Sequence, residues 1–416
     1  MIVIATHTLR DAGLAAGGHD KMNWVMGHMP ILGRIRDRYQ SAKPLTGQRI
    51  AISLHLEAKT AVLAELLHIG GASVAITSSN PLTAQDDVAA ALAERGVEVH
   101  ALRGADAAAF DQLHQRVLDI EPTLIIDDGG ELTERLHKER ASLASGIIGG
   151  AEETTTGVLR LKALAREGRL QYPMVLVNDA DMKHLFDNRY GTGQSTWDGI
   201  MRSTNLVVAG KTAVVAGYGW CGKGVADRAR GLGARVIVTE INPVRANEAL
   251  MDGHRVMPMA EAAPLGDYFV TVTGDFGVIR AEHFRVMKDG AILANAGHFD
   301  VEVDVAALKR TAQSTRPGRG PEVVGYELSD GRVLWLIAEG RLVNLAAGDG
   351  HPAEIMDLTF ALQALSLEDL LKTRPGPGVY PVNPDVDAWV AGIRLEALGV
   401  VIDRLSPEQR QYLENS

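Results

Sequence analysis

Residues 211–240 read KTAVVAGYGWCGKGVADRARGLGARVIVTE. Residues 212–216 are a short apolar run that suits a buried strand. Gly217, Gly219 and Gly222 follow as G-x-G-x-x-G. Residues 224–232 can continue as a helix and 235–239 as a second strand, which Glu240 closes. The first glycine permits a tight turn, the second lets a diphosphate approach the backbone, and the third lets helix and strand pack closely. The diphosphate rests on the helix N-terminus. A carboxylate ending the second strand accepts hydrogen bonds from an adenosine ribose and repels a 2′-phosphate. A glycine triplet alone is weak evidence. The full strand–turn–helix–strand–acid order points to a dinucleotide, NAD rather than NADP. Trp220, Cys221, Lys223 and Gly224 share the loop and join the glycines and Glu240 as candidate cofactor contacts.

Working outward, the 416 residues suffice for two or three domains. A hydrophobic content of 46% and a charged content of 23% are ordinary for a globular protein. A net charge of −10 argues against an extended nucleic-acid or anionic-membrane surface. No run of 18 apolar residues appears, and the opening MIVIAT is too short for a signal core. Cys221 is the single cysteine, so no intrachain disulfide forms, and a cytoplasmic location is expected. It reads as a small packing residue rather than a nucleophile. No Cys/His cluster has zinc spacing, so no metal is expected.

Residues 22–39 have helical spacing, with Pro30 as a break. From residue 48 strands and helices alternate. Strands are expected at 50–54, 73–77, 97–101, 123–126 and 174–177, and helices at 58–69, 84–95 and 107–118. This order predicts a parallel α/β sheet, whose ligands bind at the carboxyl ends of its strands. The residues there are polar. They are His55-Leu-Glu57-Ala-Lys59-Thr60, Ser78-Ser79-Asn80-Pro81, Asp127-Asp128-Gly129-Gly130-Glu131 and, further on, Glu152-Glu153-Thr154-Thr155-Thr156-Gly157. Singly they read as helix caps and turns. Together they suggest a polar cleft.

Asn178 to Thr192 reads NDADMKHLFDNRYGT and leads into a helix at 194–205. Lys183 and Asp187 are four apart, an ion-pair spacing on a helix, at the junction between two α/β units. Beyond Glu240, strands are expected at 269–273 and 291–295, and a hairpin at 333–337 and 342–345. Residues 311–320 read as a surface loop, 355–371 as a helix, 373–381 as a linker and 385–416 as a charged helical tail.

At this point the chain resembles the S-adenosylhomocysteine hydrolase family. The stretches that carry the resemblance are DDGGELT, GGAEETTTGVLRL, VNDADMKHLFDNRYG, VVAGYGWCGKG, NAGHFDVEVDV and AEGRLVNLAAGDGHP, in that order across residues 20–365. The resemblance implies two doubly wound, Rossmann-like parallel-sheet domains joined by a hinge, plus a short helical C-terminal tail. Residues 1–185 would bind substrate, 186–348 NAD, 349–384 would return to the substrate domain, and 385–416 would be the tail. It also implies a homo-oligomer, a tetramer in the family.

The implied chemistry oxidises the 3′-hydroxyl of a nucleoside thioether with bound NAD. Homocysteine is then eliminated, water adds at C5′, and the ketone is reduced again. By resemblance Asp128 is the C4′ base, Lys183 serves the 3′-oxygen, Asp187 orients Lys183, and Asn188 lies beside the 3′-position. Glu153 holds the ribose hydroxyls, while His55 and His298 flank C5′. Thr154, Thr155 and Thr156 contact the nicotinamide ribose, and Ala296 and Gly297 belong to the same cofactor wall. Asn344 meets the nicotinamide amide, and His351 is a hinge-side contact.

The departures are local. The usual His-x-Thr-x-Glu-Thr purine stretch is His55-Leu-Glu57-Ala-Lys59-Thr60, and Ser-Thr-Gln-Asp-His is Thr83-Ala-Gln85-Asp86-Asp87. A frequent cysteine is Thr192, a usual asparagine near the adenine ribose is Arg245, and the chain ends LSPEQRQYLENS without the Lys/Tyr extension. These features resemble the archaeal and thermophilic-bacterial branch. Glu57 and Lys59 form a complete donor–acceptor set for either adenine or hypoxanthine, so S-inosylhomocysteine is an alternative substrate. Lys59 facing away, at the start of a helix, is a third possibility. A simple dehydrogenase leaves the carboxylate- and threonine-rich first unit unexplained. A non-catalytic NAD-sensing paralogue does not account for the retained polar set.

Overall fold

The computed structural model describes residues 2–4 and 7–415. Met1, Ala5 and Thr6 of the opening MIVIAT, and Ser416 of the tail, lie outside the described residues. Strand β1 (Ile2–Ile4) pairs antiparallel with β2 (His7–Leu9). Pro30 starts the second of two helices, Ala15–Met26 and Pro30–Ala42, as its fixed φ and missing N–H favour.

The first sheet contains β3 (Arg49–Leu54), β4 (Ser73–Ser78), β5 (Glu98–Val99), β6 (Leu124–Asp127), β7 (Gly149–Glu152) and β8 (Pro173–Leu176). A seventh strand joins them at the β8 edge, and every pairing is parallel. From β3 the chain runs outward through β4 to β5, then crosses back to β6 on the other side of β3. The winding direction therefore switches between β3 and β6. The crevice beyond their carboxyl ends is where such sheets accept ligands, and His55 and Asp128 stand there.

The second sheet holds β9 (Thr212–Ala216), β10 (Arg235–Thr239), β11 (Arg255–Val256), β12 (Tyr268–Thr271), β13 (Ile292–Asn295), β14 (Ala312–Pro317), β15 (Val323–Leu328) and β16 (Val333–Ile337). Its order is β11-β10-β9-β12-β13-β16-β15-β14. The switch falls between β9 and β12, beside the glycine turn. The sheet is mixed rather than purely parallel, because β15 runs antiparallel to both β14 and β16.

Three local expectations are corrected. Residues 311–320 contain strand β14, an edge strand whose polar, exposed side chains look like a loop. Residues 342–345 are not a strand. Leu342 makes one parallel bridge to Asn295, and Val343–Ala346 is then a helical turn, so β16 takes β15 as its hairpin partner. Short apolar runs do not separate strand from helix. The stretch 373–381 ends in β17 (Gly378–Pro381), which pairs with β8 and gives the first sheet the order β17-β8-β7-β6-β3-β4-β5. The tail's first helix, Pro384–Ala397, packs on Ala353–Thr373 and Pro30–Ala42 and buries Val390.

Candidate functional site

One cleft of about 1150 Å³ joins the carboxyl ends of both sheets. At its centre Asp128 is fully buried. Its Oδ2 accepts from Ser79 Oγ at 2.6 Å and lies 3.2 Å from His55 Nε2. Its Oδ1 lies 3.7 Å from His298 Nδ1, contributed by the other unit, and has no hydrogen-bond partner. Burial alone would raise the carboxyl pKa, but His298, His55 and Ser79 together hold it below the usual carboxylate value. Burial lowers the His55 pKa, partly offset by Asp128. His55, Asp128 and His298 bring ligand atoms within 4.8 Å of one another, a grouping no sequence spacing announced and one that suits a proton or a cation.

The loop behind Asp128 needs both its glycines. Gly129 and Gly130 have φ of +77°, and a Cβ on Gly129 would sit 2.5 Å from His298 Nε2. Glu152 pins this loop, accepting from the amides of Gly129, Gly130 and Thr154 at 2.9, 3.2 and 2.9 Å.

Lys183, Asp187 and Asn188 stand where the helix widens. Residues His184–Gly191 are π-helical and run directly into the α-helix Thr192–Thr204. A π turn repeats at five residues, so it aligns Lys183 with Asn188 as well as with Asp187. Lys183 Nζ donates to Asn188 Oδ1 at 2.8 Å and Asn178 Oδ1 at 3.2 Å, and pairs with Asp187 Oδ2 at 2.8 Å. Glu153 Oε1 is 3.5 Å away. Burial would lower the Lys183 pKa, but Asp187 and Glu153 outweigh it and hold the ammonium charged. Burial pushes Glu153 up to about 8 against the Lys183 charge, while Gln363 Nε2 donates to its Oε2 at 2.6 Å. Asp187 also meets His351 Nδ1.

At the far end Glu57 and Lys59 are both buried, so Lys59 does not face away. Glu57 is the N-cap of helix Ala58–Ile69. It accepts from Lys59 N, Thr60 N and Thr60 Oγ1 and pairs with Lys59 Nζ at 2.6 Å. Four donors fill its lone-pair sites. Lys59 Nζ also donates to Asp349 O at 2.9 Å, which leaves one donor.

At the cofactor end Gly217 has φ of +99°, and helix Trp220–Gly231 starts directly after Gly219. Glu240 Oε2 accepts from Tyr218 N at 2.7 Å, and Oε1 from Ile241 N and Asn242 N at 2.7 and 2.9 Å. Oε2 thus retains a free lone pair toward the cleft. Arg245, Trp220 and Cys221 line the same wall, and burial raises the Cys221 thiol pKa. Ala296 and Gly297 follow β13. Asn344 Nδ2 lies 3.2 Å from His351 Nε2, and Asn344 Oδ1 is buried without a partner. Thr154 caps helix Thr155–Arg166, Thr155 Oγ1 accepts from Asn178 Nδ2 at 3.2 Å, and Thr156 lines the cleft. An orphaned amide oxygen and a glycine turn on one cleft suit the carbamoyl group and the diphosphate of a nicotinamide dinucleotide.

Residues 188–350 match the sequence model of the S-adenosyl-L-homocysteine hydrolase NAD-binding domain, and residues 6–145 that of S-adenosyl-L-homocysteine hydrolase. The S-inosyl-L-homocysteine hydrolase of Methanopyrus kandleri is 55% identical over 100% of this chain and 99% of its own. This chain belongs to the S-adenosyl-L-homocysteine hydrolase family. The adenosylhomocysteinase of Thermococcus kodakarensis is 53% identical, over 98% of this chain and 97% of its own. That of Aquifex aeolicus is 54% identical, over 98% of both.

Within this hydrolase fold three of the expected cofactor residues, Gly222, Lys223 and Gly224, stand in the first turns of the helix that follows the glycine turn. The helix starts four residues earlier than the sequence suggests, so Gly222 and Gly224 fall inside it. A Cβ on Gly222 would be 2.0 Å from Gly217 O, and one on Gly224 would be 1.7 Å from Arg189 O. These glycines admit close backbone packing. Lys223 pairs with Glu248 at 2.8 Å and covers the Trp220 ring. Conversely, Ser79, Glu152, Asn178 and Gln363 hold the site and escape a reading by motif. Gln363 had one signal, a lone amide inside the apolar run of helix Ala353–Thr373.

Glu240 yields the first prediction. Glu240→Ala removes a charge anchored by three amides, so NAD binding should weaken by about tenfold or more, roughly one charge-assisted hydrogen bond. Isothermal titration of the wild type and variant with NAD and NADP measures it. A wild type that binds both equally well would overturn this reading of Glu240.

Proposed function

We propose that this protein catalyses the reversible hydrolysis of S-adenosyl-L-homocysteine to adenosine and L-homocysteine. In this reading residues 1–185 and 349–384 hold substrate, and 186–348 hold NAD. The observation that carries it is the pairing of two clusters in one cleft, the Lys183–Asp187–Asn188 π turn and the His55–Asp128–His298 triad. NAD, held by the glycine turn, Glu240 and Asn344, would supply the hydride acceptor for C3′ and the donor that reverses it. The buried Lys183 ammonium favours the ionised 3′-oxygen, and Asp187 and Asn188 fix its direction. The resulting ketone acidifies C4′–H. Asp128, ionised and with Oδ1 unpartnered, removes that proton. Homocysteine then leaves by β-elimination. His55 and His298 supply the proton to sulfur and take one from the water that adds at C5′. Glu153 holds ribose hydroxyls.

We further read the protein as a cytoplasmic homotetramer. The family resemblance supports the assembly, and the single cysteine supports the compartment. Among the described residues no helix is long and apolar enough to cross a membrane.

The purine has a second reading. Glu57 is filled by its own helix, which leaves the third Lys59 donor as the charged group available to the base. Adenine N1 and hypoxanthine O6 both accept it, and an anionic-leaning O6 suits an ammonium. Relatives of both names have nearly equal identity. Thiol release from S-adenosyl- and S-inosyl-L-homocysteine tests both readings in one assay. Lys59→Ala should change the ratio of kcat/KM by about tenfold, the scale of one charged hydrogen bond. An unchanged ratio shows that Lys59 does not read the base, and release from neither thioether overturns the proposed reaction.

A further inference from the structure

The loop after β12 carries an exposed aromatic that the reaction does not use. Residues 272–278 form the cleft wall facing 240–245, across the glycine turn. Strand order β10-β9-β12 puts these two loops on either side of that turn. They abut it closely, since a Cβ on Gly217 would lie 3.0 Å from Val272 O.

Phe276 is 79% exposed, and Ile241, on the loop across the glycine turn, is 95% exposed. The exposure is not slack. Thr273 N and Oγ1 donate to Glu302 Oε2 at 2.9 and 2.7 Å, and Gly274 N donates to Oε1 at 2.8 Å. On the other side of the ring, Gly277 N donates to Val301 O at 2.9 Å and Val278 N to Glu302 O at 2.7 Å. Glu302 is itself buried. A loop fastened at both ends thus holds a bare aromatic ring at the rim of the cleft. Among the described residues that ring makes no stacking or cation contact.

We propose that Phe276 is a binding residue for the adenine of the dinucleotide, stacking on one face of the base while Ile241 and the Arg245 stem close the other. The inference rests on NAD binding in residues 188–350. A diphosphate on the glycine turn and an adenosine ribose on Glu240 would direct the base past Glu240, toward the two loops on either side of the turn. The wall there offers the apolar faces of Phe276, Ile241, Val256 and Met257 and the Arg245 guanidinium, with the Asp275 carboxylate beside the ring in the same loop. An aromatic face recognises the π surface of any base. Retention of the cofactor then depends on stacking, and base identity is read weakly.

The test uses full-length protein stripped of nucleotide and titrated with NAD, ADP-ribose and nicotinamide mononucleotide. Phe276→Ala should raise Kd for NAD and ADP-ribose alike by about tenfold, the scale of one lost base–aromatic stack. The mononucleotide, which lacks adenine, should bind as it does to the wild type. In Phe276→Trp, NAD and ADP-ribose should quench the new indole emission, and the mononucleotide should not. Nicotinamide hypoxanthine dinucleotide should bind the wild type within a few-fold of NAD. Kd values for NAD and ADP-ribose within twofold of wild type in Phe276→Ala overturn the proposal. So does a changed oligomeric state with unchanged nucleotide binding, which would give the ring to a second copy of the chain. A wild type that fails to bind NAD overturns the cofactor reading itself, and that outcome is visible before any variant is made.

Discussion

Lys183→Ala is expected to slow reduction of bound NAD by substrate at least ~10³-fold, the loss typical of removing a group aimed at developing charge. The ammonium sits 2.8 Å from both Asp187 and Asn188 on the π turn and 3.2 Å from Asn178 after β8, so buried groups rather than a flexible surface set its donor directions. Removing it would withdraw the cation proposed for the 3′-oxygen and leave the buried Asp187 carboxylate with only His351 as a cationic partner, beside a Glu153 carboxyl that burial already pushes up to about 8. Truncating one partner of a buried pair costs roughly 3–5 kcal/mol of stability. Thermal unfolding and NAD content must therefore be measured beside the rate. Stopped-flow absorbance of the reduced nicotinamide gives the oxidation step directly. Lys183→Arg keeps the charge but spreads it over a planar fork that the compact site does not fit. It should restore stability more than rate. A folded, NAD-loaded Lys183→Ala that reduces its cofactor within tenfold of wild type would remove Lys183 from the oxidation step.

That expectation shows how much of the site was legible in the chain. Lys183 and Asp187 were visible as an i, i+4 pair at a junction, but Asn188 entered the same cluster only through the π turn. Local sequence does not announce a one-residue widening of a helix. The glycine turn was legible because its backbone demands are strict. Gly217 requires its left-handed φ, and Gly222 leaves no room for a Cβ against Gly217 O. The same strictness extends to Gly224, where a Cβ would be 1.7 Å from Arg189 O, so its small size is already required by packing of the helix on the π turn. His55 and Asp128 follow the strands on either side of the winding switch, so the α/β alternation alone pointed to them. Glu57 shows the limit of reading by residue type. Its carboxylate looked free to read a base, yet it spends its acceptors on the N-terminus of its own helix. Ser79 and Glu152 were quoted as parts of polar strand ends, but their roles needed the fold. Partners such as Ser79 for Asp128 are set by strand order, not by spacing.

Asp128→Asn is expected to separate the oxidation from the proton abstraction that follows it. The substitution keeps the shape and an oxygen for Ser79 Oγ, which now lies 2.6 Å away. It removes the ionised base. The first oxidation should stay within about tenfold of wild type, while abstraction at C4′ falls by ~10³-fold, within the usual range for loss of a general base. Thiol release alone is an ambiguous readout. Asp128 also offsets the lowering of the His55 pKa by burial, so its loss would weaken the histidine proposed to protonate sulfur. The remedy is a ligand with no sulfur. With adenosine or inosine in deuterium oxide, the 3′-ketone forms, and C4′–H exchanges without any leaving group. Exchange should then report Asp128 alone. Asp128→Asn should form reduced nicotinamide normally and exchange slowly. His55→Ala should exchange readily and release thiol slowly. Exchange at the wild-type rate in folded Asp128→Asn would move the base elsewhere. The remaining candidate is then His298, whose Nδ1 stands 3.7 Å from the unpartnered oxygen of Asp128.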